Sequence, residues 1–171
     1  MTLPAHLQAL VASAAEVLAD AGTPGDEAQD RLDAVEEALG WIGTPYHHAA
    51  RLKGVAVDCG MFLAEVFERA EVLPHIEPDP YPHDWHLHHA DEQYLGLVEK
   101  FGRRVPVEGE PLPGDVLLFK YGRCLSHGAI VVAWPVFVHS YIGVGVVLDS
   151  IETNLDMSER LAGVWSFWGV D

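Results

Sequence analysis

Cys59, His127 and His139 are the residues whose types and order in this chain could do chemistry together. A thiolate is a strong nucleophile and a neutral thiol a modest one. An imidazole, with an ordinary pKa near ~6.5, can take the thiol proton and later return it to a leaving amine. A second imidazole can orient the first through its other ring nitrogen, as an Asp or Asn does in other triads. Taken alone, Cys59 reads first as a small buried hydrophobe and His139 as a sheet histidine bonded to backbone. The surroundings favour the nucleophile. Asp58 is a suitable N-cap, and Phe62, Leu63, Val66 and Phe67 recur at helical spacing, so Cys59 belongs in the first turn of a largely buried helix over residues 59–71. Unpaired N–H groups and the positive helix end favour a thiolate there.

The histidines fall in a segment of different period. Val116-Leu117-Leu118-Phe119, Gly128 to Trp134 and Val136 to Tyr141 read as strands, with Val144 to Ser150 and Gly163 to Trp168 as two more. His127 is expected just where the second of these begins, and His139 beside it on the next. Upstream, Leu3, Leu7, Leu10, Val11, Ala14, Val17 and Leu18 make one face of a helix over residues 4–20, ended by Gly22-Thr23-Pro24-Gly25. A second helix, 27–41, sets Leu32, Val35, Leu39 and Ile42 against an acidic side. Pro74 to Asp84 reads as a surface loop, and Trp85 to Phe101 as helix packing through Leu87, Tyr94, Leu95 and Val98. Helices first and closely connected strands last predict an α+β domain, the nucleophile helix packed on an antiparallel sheet of about five strands. We expect one domain, 1–171, with 1–25 a helical N-terminal extension and 26–171 the catalytic core.

Composition narrows the function. The chain has 171 residues, 49% of them hydrophobic, and 26 acids against 10 Lys and Arg give a net charge of −16. Such a surface repels nucleic acid and anionic lipid, and no basic cluster opposes it. Two cysteines are too few for a disulfide scaffold. Neither a signal peptide nor a run of about 18 apolar residues is evident, so synthesis in the cytoplasm without membrane insertion is expected.

The ordered set Gly43-Thr44-Pro45-Tyr46, Asp58-Cys59-Gly60, Pro113-Gly114-Asp115-Val116, Ser126-His127-Gly128-Ala129-Ile130 and His139 resembles the NlpC/p60-type cell-wall cysteine peptidases over about residues 38–150. The resemblance implies a papain-like fold and cleavage within peptidoglycan stem peptides, typically between γ-D-glutamate and diaminopimelate or lysine. It makes Cys59 the nucleophile, His127 the base and His139 the polar third residue. It also makes Tyr46 a hydroxyl near the nucleophile that helps the Cys59 N–H hold the oxyanion. Trp85-His86-Leu87-His88-His89 with Tyr94-Leu95 resembles the branch carried by phage and prophage tails, which implies tail proteins as partners. Two departures stand out: Asp58-Cys59-Gly60-Met61 lacks the usual serine after the cysteine, and His47-His48 replaces a pair of glycines. No wall-binding repeat module is recognisable.

Other clusters are weaker. His86, His88 and His89 with Asp84 and Asp91 lack metal-ligand spacing, and no metal or cofactor is expected. His47, His48 and His83 could line a polar cleft, while His75 reads as a loop residue. Cys124 reads as a packed sheet-edge cysteine and Ser126 as a plain strand-edge serine. Two rival functions stay open: a thiol amidase or acyltransferase on the same scaffold, and a non-enzymatic tail-assembly protein.

Overall fold

The computed structural model describes residues 2–77, 93–106 and 109–169. Helices α1 (Ala5–Asp20), α2 (Gly25–Leu39) and α3 (Cys59–Arg69) precede α4 (Gln93–Phe101) and a short α5 (Leu155–Arg160). A two-stranded ribbon, β1 (Arg51–Leu52) with β2 (Ala56–Val57), leads into α3. The main sheet comprises β3 (Arg103–Arg104), β4 (Val116–Tyr121), β5 (Cys124–Ala133), β6 (Val136–Tyr141), β7 (Gly145–Ser150) and β8 (Leu161–Ser166). Its order is β3-β8-β4-β5-β6-β7 with every pairing antiparallel. The expected α+β arrangement of N-terminal helices on a C-terminal antiparallel sheet is present. Among the described residues six strands stand in the main sheet where about five were expected, the extra one being the two-residue β3; α5 was not foreseen.

Alternation along the strands sorts the core into two layers. Val116 and Leu118 of β4, Ile130 and Val132 of β5, Val138 of β6 and Val146 of β7 join Leu7 and Ala14 of α1, Val35 and Ala38 of α2, and Phe62, Val66 and Phe67 of α3 in the larger cluster. Leu117, Phe119, Ala129, Val131 and Phe137 face the other way and pack with Met157 of α5. Burying such side chains stabilises the fold by roughly 1.5–3 kcal/mol each. The period-two pattern therefore fixes which face each strand residue takes.

The second helix buries Val35 and Leu39 and packs Leu32 on the core as expected, with one departure and one addition. Ile42 lies beyond the helix end and is 36% exposed, while Arg31 is buried. Arg31 Nη1 donates to the Pro113 carbonyl and to Asp115 Oδ1, both at 2.9 Å, and Nη2 donates to Ser166 Oγ at 3.0 Å. Its Nε donates to Glu27 at 2.7 Å, and the guanidinium stacks 4.3 Å from the Trp168 ring centre. The Pro113-Gly114-Asp115 turn thus does more than reverse the chain. Its aspartate fastens α2 to the start of β4, while Asp115 Oδ2 accepts the Leu112 N–H at 2.9 Å.

Removing one partner of a buried ion pair leaves the other charge without compensation, which typically costs about 3–5 kcal/mol. Arg31→Met should lower the denaturant midpoint by that much free energy at an unchanged m-value. A loss under about 1 kcal/mol would show that the network does not hold α2 to the sheet.

Candidate active site

The Gly43-Thr44-Pro45-Tyr46 segment is threaded between two elements. The Gly43 N–H donates to the Val146 carbonyl and the Val146 N–H donates to the Thr44 carbonyl, each at 2.9 Å. Gly145 must be a glycine: it has φ +98, and a Cβ there would run into the Thr44 carbonyl. On the other side Thr44 Oγ1 accepts the Gly54 N–H at 3.0 Å, and Val57 donates to the Pro45 carbonyl at 2.9 Å. These bonds carry Tyr46 alongside Val57, the residue before Asp58-Cys59.

Asp58 caps α3 as expected, its Oδ1 accepting the Met61 N–H at 2.8 Å. Its Oδ2 also accepts the Ala49 N–H at 2.7 Å, which holds Ala49 in the left-handed region at φ 56. His48 Nδ1 lies 3.9 Å from the same oxygen, whereas His47 is exposed and turned to the His48 carbonyl.

Cys59 is the first residue of α3 and sits where the sheet parts. Strands β5 and β6 pair only from Ala133/Val136 to Ile130/Val138, although β5 runs back to Cys124 and β6 on to Tyr141. At this opening Cys59 Sγ donates to the Ser126 carbonyl at 3.6 Å, and the N–H groups of Cys59, Gly60 and Gly128 favour negative charge on the sulfur. Ser140 Oγ of β6 donates to the Val57 carbonyl at 3.0 Å, tying the strand to the approach to α3.

His127 is inside β5, opposite Phe119, rather than at the strand's start. The strand begins earlier because Cys124 and Leu125 extend the hairpin with β4. His127 Nε2 and His139 Nδ1 are 2.8 Å apart, a hydrogen bond between two buried rings. The rings of Phe119, Tyr121 and Tyr141 surround His127 at 5.7–5.8 Å between centroids. Among the described residues buried His139 Nε2 has no hydrogen-bond partner, and Asp149 Oδ2 lies 3.6 Å from it. Cys124 is fully buried at the far end of β5, and no disulfide is formed by either cysteine.

Electrostatics correct one expectation. Burial pushes the Cys59 thiol up to about 12, the Asp58 carboxylate adds to the rise, and the three backbone N–H groups only oppose it. The helix end therefore does not stabilise a standing thiolate, because burial outweighs it and the capping residue is itself an anion. Burial holds His127 well below the ordinary histidine value, with His139 adding to the effect. Burial brings His139 down to about 4 against the pull of the Asp149 carboxylate. Burial, helped by Cys59 and Asp58, also holds the Tyr46 phenol above its usual range, so it keeps its proton. Dry surroundings disfavour the charged form of each group.

Sequence reasoning missed Asp149, the rings around His127 and the backbone groups of Ser126 and Gly128. Of these only Asp149 left a signal, an acid on a strand that folds back beside His139. His83, Asp84, Trp85, His86, Leu87, His88, His89 and Asp91 lie outside the described residues, as does the Tyr94 side chain. Among the described residues no three His, Cys, Asp or Glu are grouped to hold a metal ion. His75 is exposed and bonded to Glu68 at 2.9 Å.

A model of the NlpC/P60 family matches residues 43–166. No curated protein matches the chain. Among solved structures, the NlpC/p60 domain of the peptidoglycan hydrolase SagA superposes with a TM-score of 0.56 at 19% identity, covering 80% of this chain and 97% of that one. An NLP/P60-family protein similar to a lipoprotein, from Staphylococcus aureus subsp. aureus Mu50, gives 0.57 at 20% identity, over 81% of this chain and 41% of its own. An NlpC/P60-family protein from Bacillus cereus ATCC 10987 gives 0.57 at 19%, over 80% and 40%. The chain thus spans nearly all of the first and about two fifths of the other two.

Two buried neutral histidines make stability fall with acid. Their folded pKa values lie below the unfolded ~6.5, so the unfolded chain binds more protons as pH drops, and stability present above pH 6.5 is lost below it. His139 alone, held at about 4, should account for roughly 3 kcal/mol between pH 6.5 and 4. Denaturant titrations across that range should show this slope, shallower in His139→Gln; equal slopes in the two proteins would contradict the assignment.

Proposed function

The chain belongs to the NlpC/P60 family, and from that premise we propose that it is a cysteine peptidase hydrolysing peptidoglycan stem peptides, at the bond between γ-D-glutamate and diaminopimelate. Cys59 is the nucleophile, His127 the base, His139 the residue that orients it and Tyr46 an oxyanion donor. The observation that carries this reading is the 2.8 Å bond between His127 Nε2 and His139 Nδ1 at the opening of the sheet where Cys59 lies. It occupies one ring nitrogen of His127 and leaves Nδ1 for the thiol.

In this mechanism the Cys59 proton passes to His127 Nδ1 as sulfur attacks the amide carbonyl carbon. The tetrahedral oxyanion receives the Cys59 N–H and the Tyr46 hydroxyl, which stays protonated because its pKa is raised. His127 then protonates the departing amine as the C–N bond breaks, leaving a thioester. Water enters, gives its proton to Nδ1, and attacks the same carbon; collapse releases the acid and the proton returns to sulfur. Gly60, standing where relatives carry serine, leaves the Cys59 N–H in place. We further propose, on Trp85-His86-Leu87-His88-His89 and Tyr94-Leu95 of the sequence, that a phage or prophage tail carries the protein to the wall.

Mass spectrometry of muropeptides from sacculi treated with the protein should reveal new fragments ending in γ-D-glutamate, absent with Cys59→Ala. Cleavage elsewhere that still needs Cys59 would change the bond and keep the mechanism. No cleavage by a protein whose Cys59, in a parallel sample, proves selectively alkylatable would favour a thiol amidase or acyltransferase. If Cys59 alkylates no faster than the buried Cys124, the reading becomes a structural tail protein. Loss of one oxyanion donor typically costs ~3 kcal/mol, so Tyr46→Phe should lower kcat about 100-fold with KM little changed. An unaltered kcat would remove Tyr46 from the reaction.

A further inference from the structure

His139 poses a question that the cysteine and two histidines do not answer. Its Nδ1 is engaged with His127 at 2.8 Å, yet its buried Nε2 has no hydrogen-bond partner among the described residues. A buried ring nitrogen without a partner costs free energy and leaves the tautomer undetermined. The tautomer matters. For His127 to accept a proton at Nδ1 it must carry its own hydrogen on Nε2 and donate it to His139 Nδ1. His139 must then be the Nε2–H tautomer, and that N–H needs an acceptor.

The sheet register supplies one. Continuing the Ile130/Val138 pairing by one residue sets Ala129 opposite His139, so His127 is its diagonal neighbour on the same face. On the other side His139 pairs with Val147 and Phe137 with Asp149, so Asp149 is the diagonal neighbour across β6 and β7. Its Oδ2 lies 3.6 Å from His139 Nε2. The carboxylate is itself anchored, Oδ1 accepting the Ser150 N–H at 2.7 Å and Oδ2 accepting Asn154 Nδ2 at 2.6 Å. Asn154 is in turn fixed by capping α5, its Oδ1 accepting the Met157 N–H at 3.2 Å. A shift of about half an ångström closes the gap to hydrogen-bond length, the kind of tightening that substrate binding produces.

Resting on the assignment of Cys59 and His127 above, we propose that Asp149 is a positioning residue: it selects the Nε2–H tautomer of His139, which fixes His127 with Nδ1 open toward the thiol. The line runs diagonally over three neighbouring strands, β5, β6 and β7, and ends on the cap of α5. No proton leaves the line; Asp149 stays a carboxylate and stabilises the imidazolium that forms on His127 through the polarised His139 ring.

Asp149→Asn tests this with little change of shape. The Ser150 N–H keeps the amide oxygen in the Oδ1 place, so the amide nitrogen takes the place of Oδ2, gives up the bond from Asn154 Nδ2 and presents a donor to His139 Nε2. The tautomers of both rings then reverse, and His127 Nδ1 carries a hydrogen where the base should accept one. Long-range proton–nitrogen spectra of the histidine rings at pH 7.5, assigned with His127→Gln and His139→Gln, read this directly. We expect Nε2–H on both rings in the unsubstituted protein and Nδ1–H on both in Asp149→Asn. With a γ-D-glutamyl-diaminopimelate peptide as substrate, kcat should fall about 10- to 100-fold and KM should hold. If Asp149→Asn does not fold, Asp149→Ala should show mixed tautomers and a kcat loss of the same order. His139 protonated on Nδ1 in the unsubstituted protein, or tautomers unchanged in the folded variant, would overturn the proposal. The spectra need no substrate, so failure of the unsubstituted protein to cleave the peptide would count against the proposed function while the tautomers still decide Asp149.

Discussion

Asp58 accepts the Met61 N–H at 2.8 Å and the Ala49 N–H at 2.7 Å, and most of the site's geometry follows from those two bonds. The first starts α3 at Cys59, so the thiol projects from a helix end rather than from a flexible loop. The second holds the left-handed turn at Ala49, which returns the chain from Tyr46 to the ribbon before α3. The same carboxylate has an electrostatic consequence. A helix N-terminus is positive because its first N–H groups lack partners. Here burial disfavours a thiolate first, and the buried anion at that end adds to it.

What remains at Cys59 is a dry place with three converging N–H groups. Such a place penalises an isolated sulfur anion and, one strand away, an isolated imidazolium. It does not penalise the two together to the same degree, since opposite charges in a low dielectric attract strongly at short range. In the proposed reaction the packing that makes each group reluctant to ionise therefore couples their ionisation. The aromatic rings about His127 surround it without offering a counter-charge to an imidazolium.

The acidic excess stands outside this dry centre. Arg51 is drawn to Glu65, Glu68 and Glu77, Lys53 to Glu37, Arg69 to Glu65 and Arg160 to Asp156. Much of the small stock of cations is thus spent on neighbouring acids, and the outward field stays negative. Salt screens exposed charges beyond roughly 8 Å at physiological ionic strength. A substrate that is itself anionic is then recognised by contacts within the site and not drawn in from a distance.

How far the site was legible follows from the range of the interactions that build it. The helix face Phe62-Leu63-Val66-Phe67 and the Asp58 cap are local, and both appear where sequence periodicity puts them. The strand cores were legible too, because alternation is a property of neighbours in the chain. The burial of Arg31 left no local signal, because its partners Pro113, Asp115 and Ser166 are distant in sequence, and a charge can be buried only where such partners exist. The start of β5 was set too late because Ser126 and His127 are not typical strand formers; pairing with β4 overrides their weak propensity. The approach of His127 to His139 could be anticipated from a hairpin, but its diagonal geometry required the register. Asp149 was harder still, since it needs two registers in succession, and each slip of one residue turns the side chain to the opposite face. Chemistry-bearing residue types are therefore the most legible part of such a site, and the partners that set their protonation the least, because those partners are chosen by strand pairing and not by the chain around them.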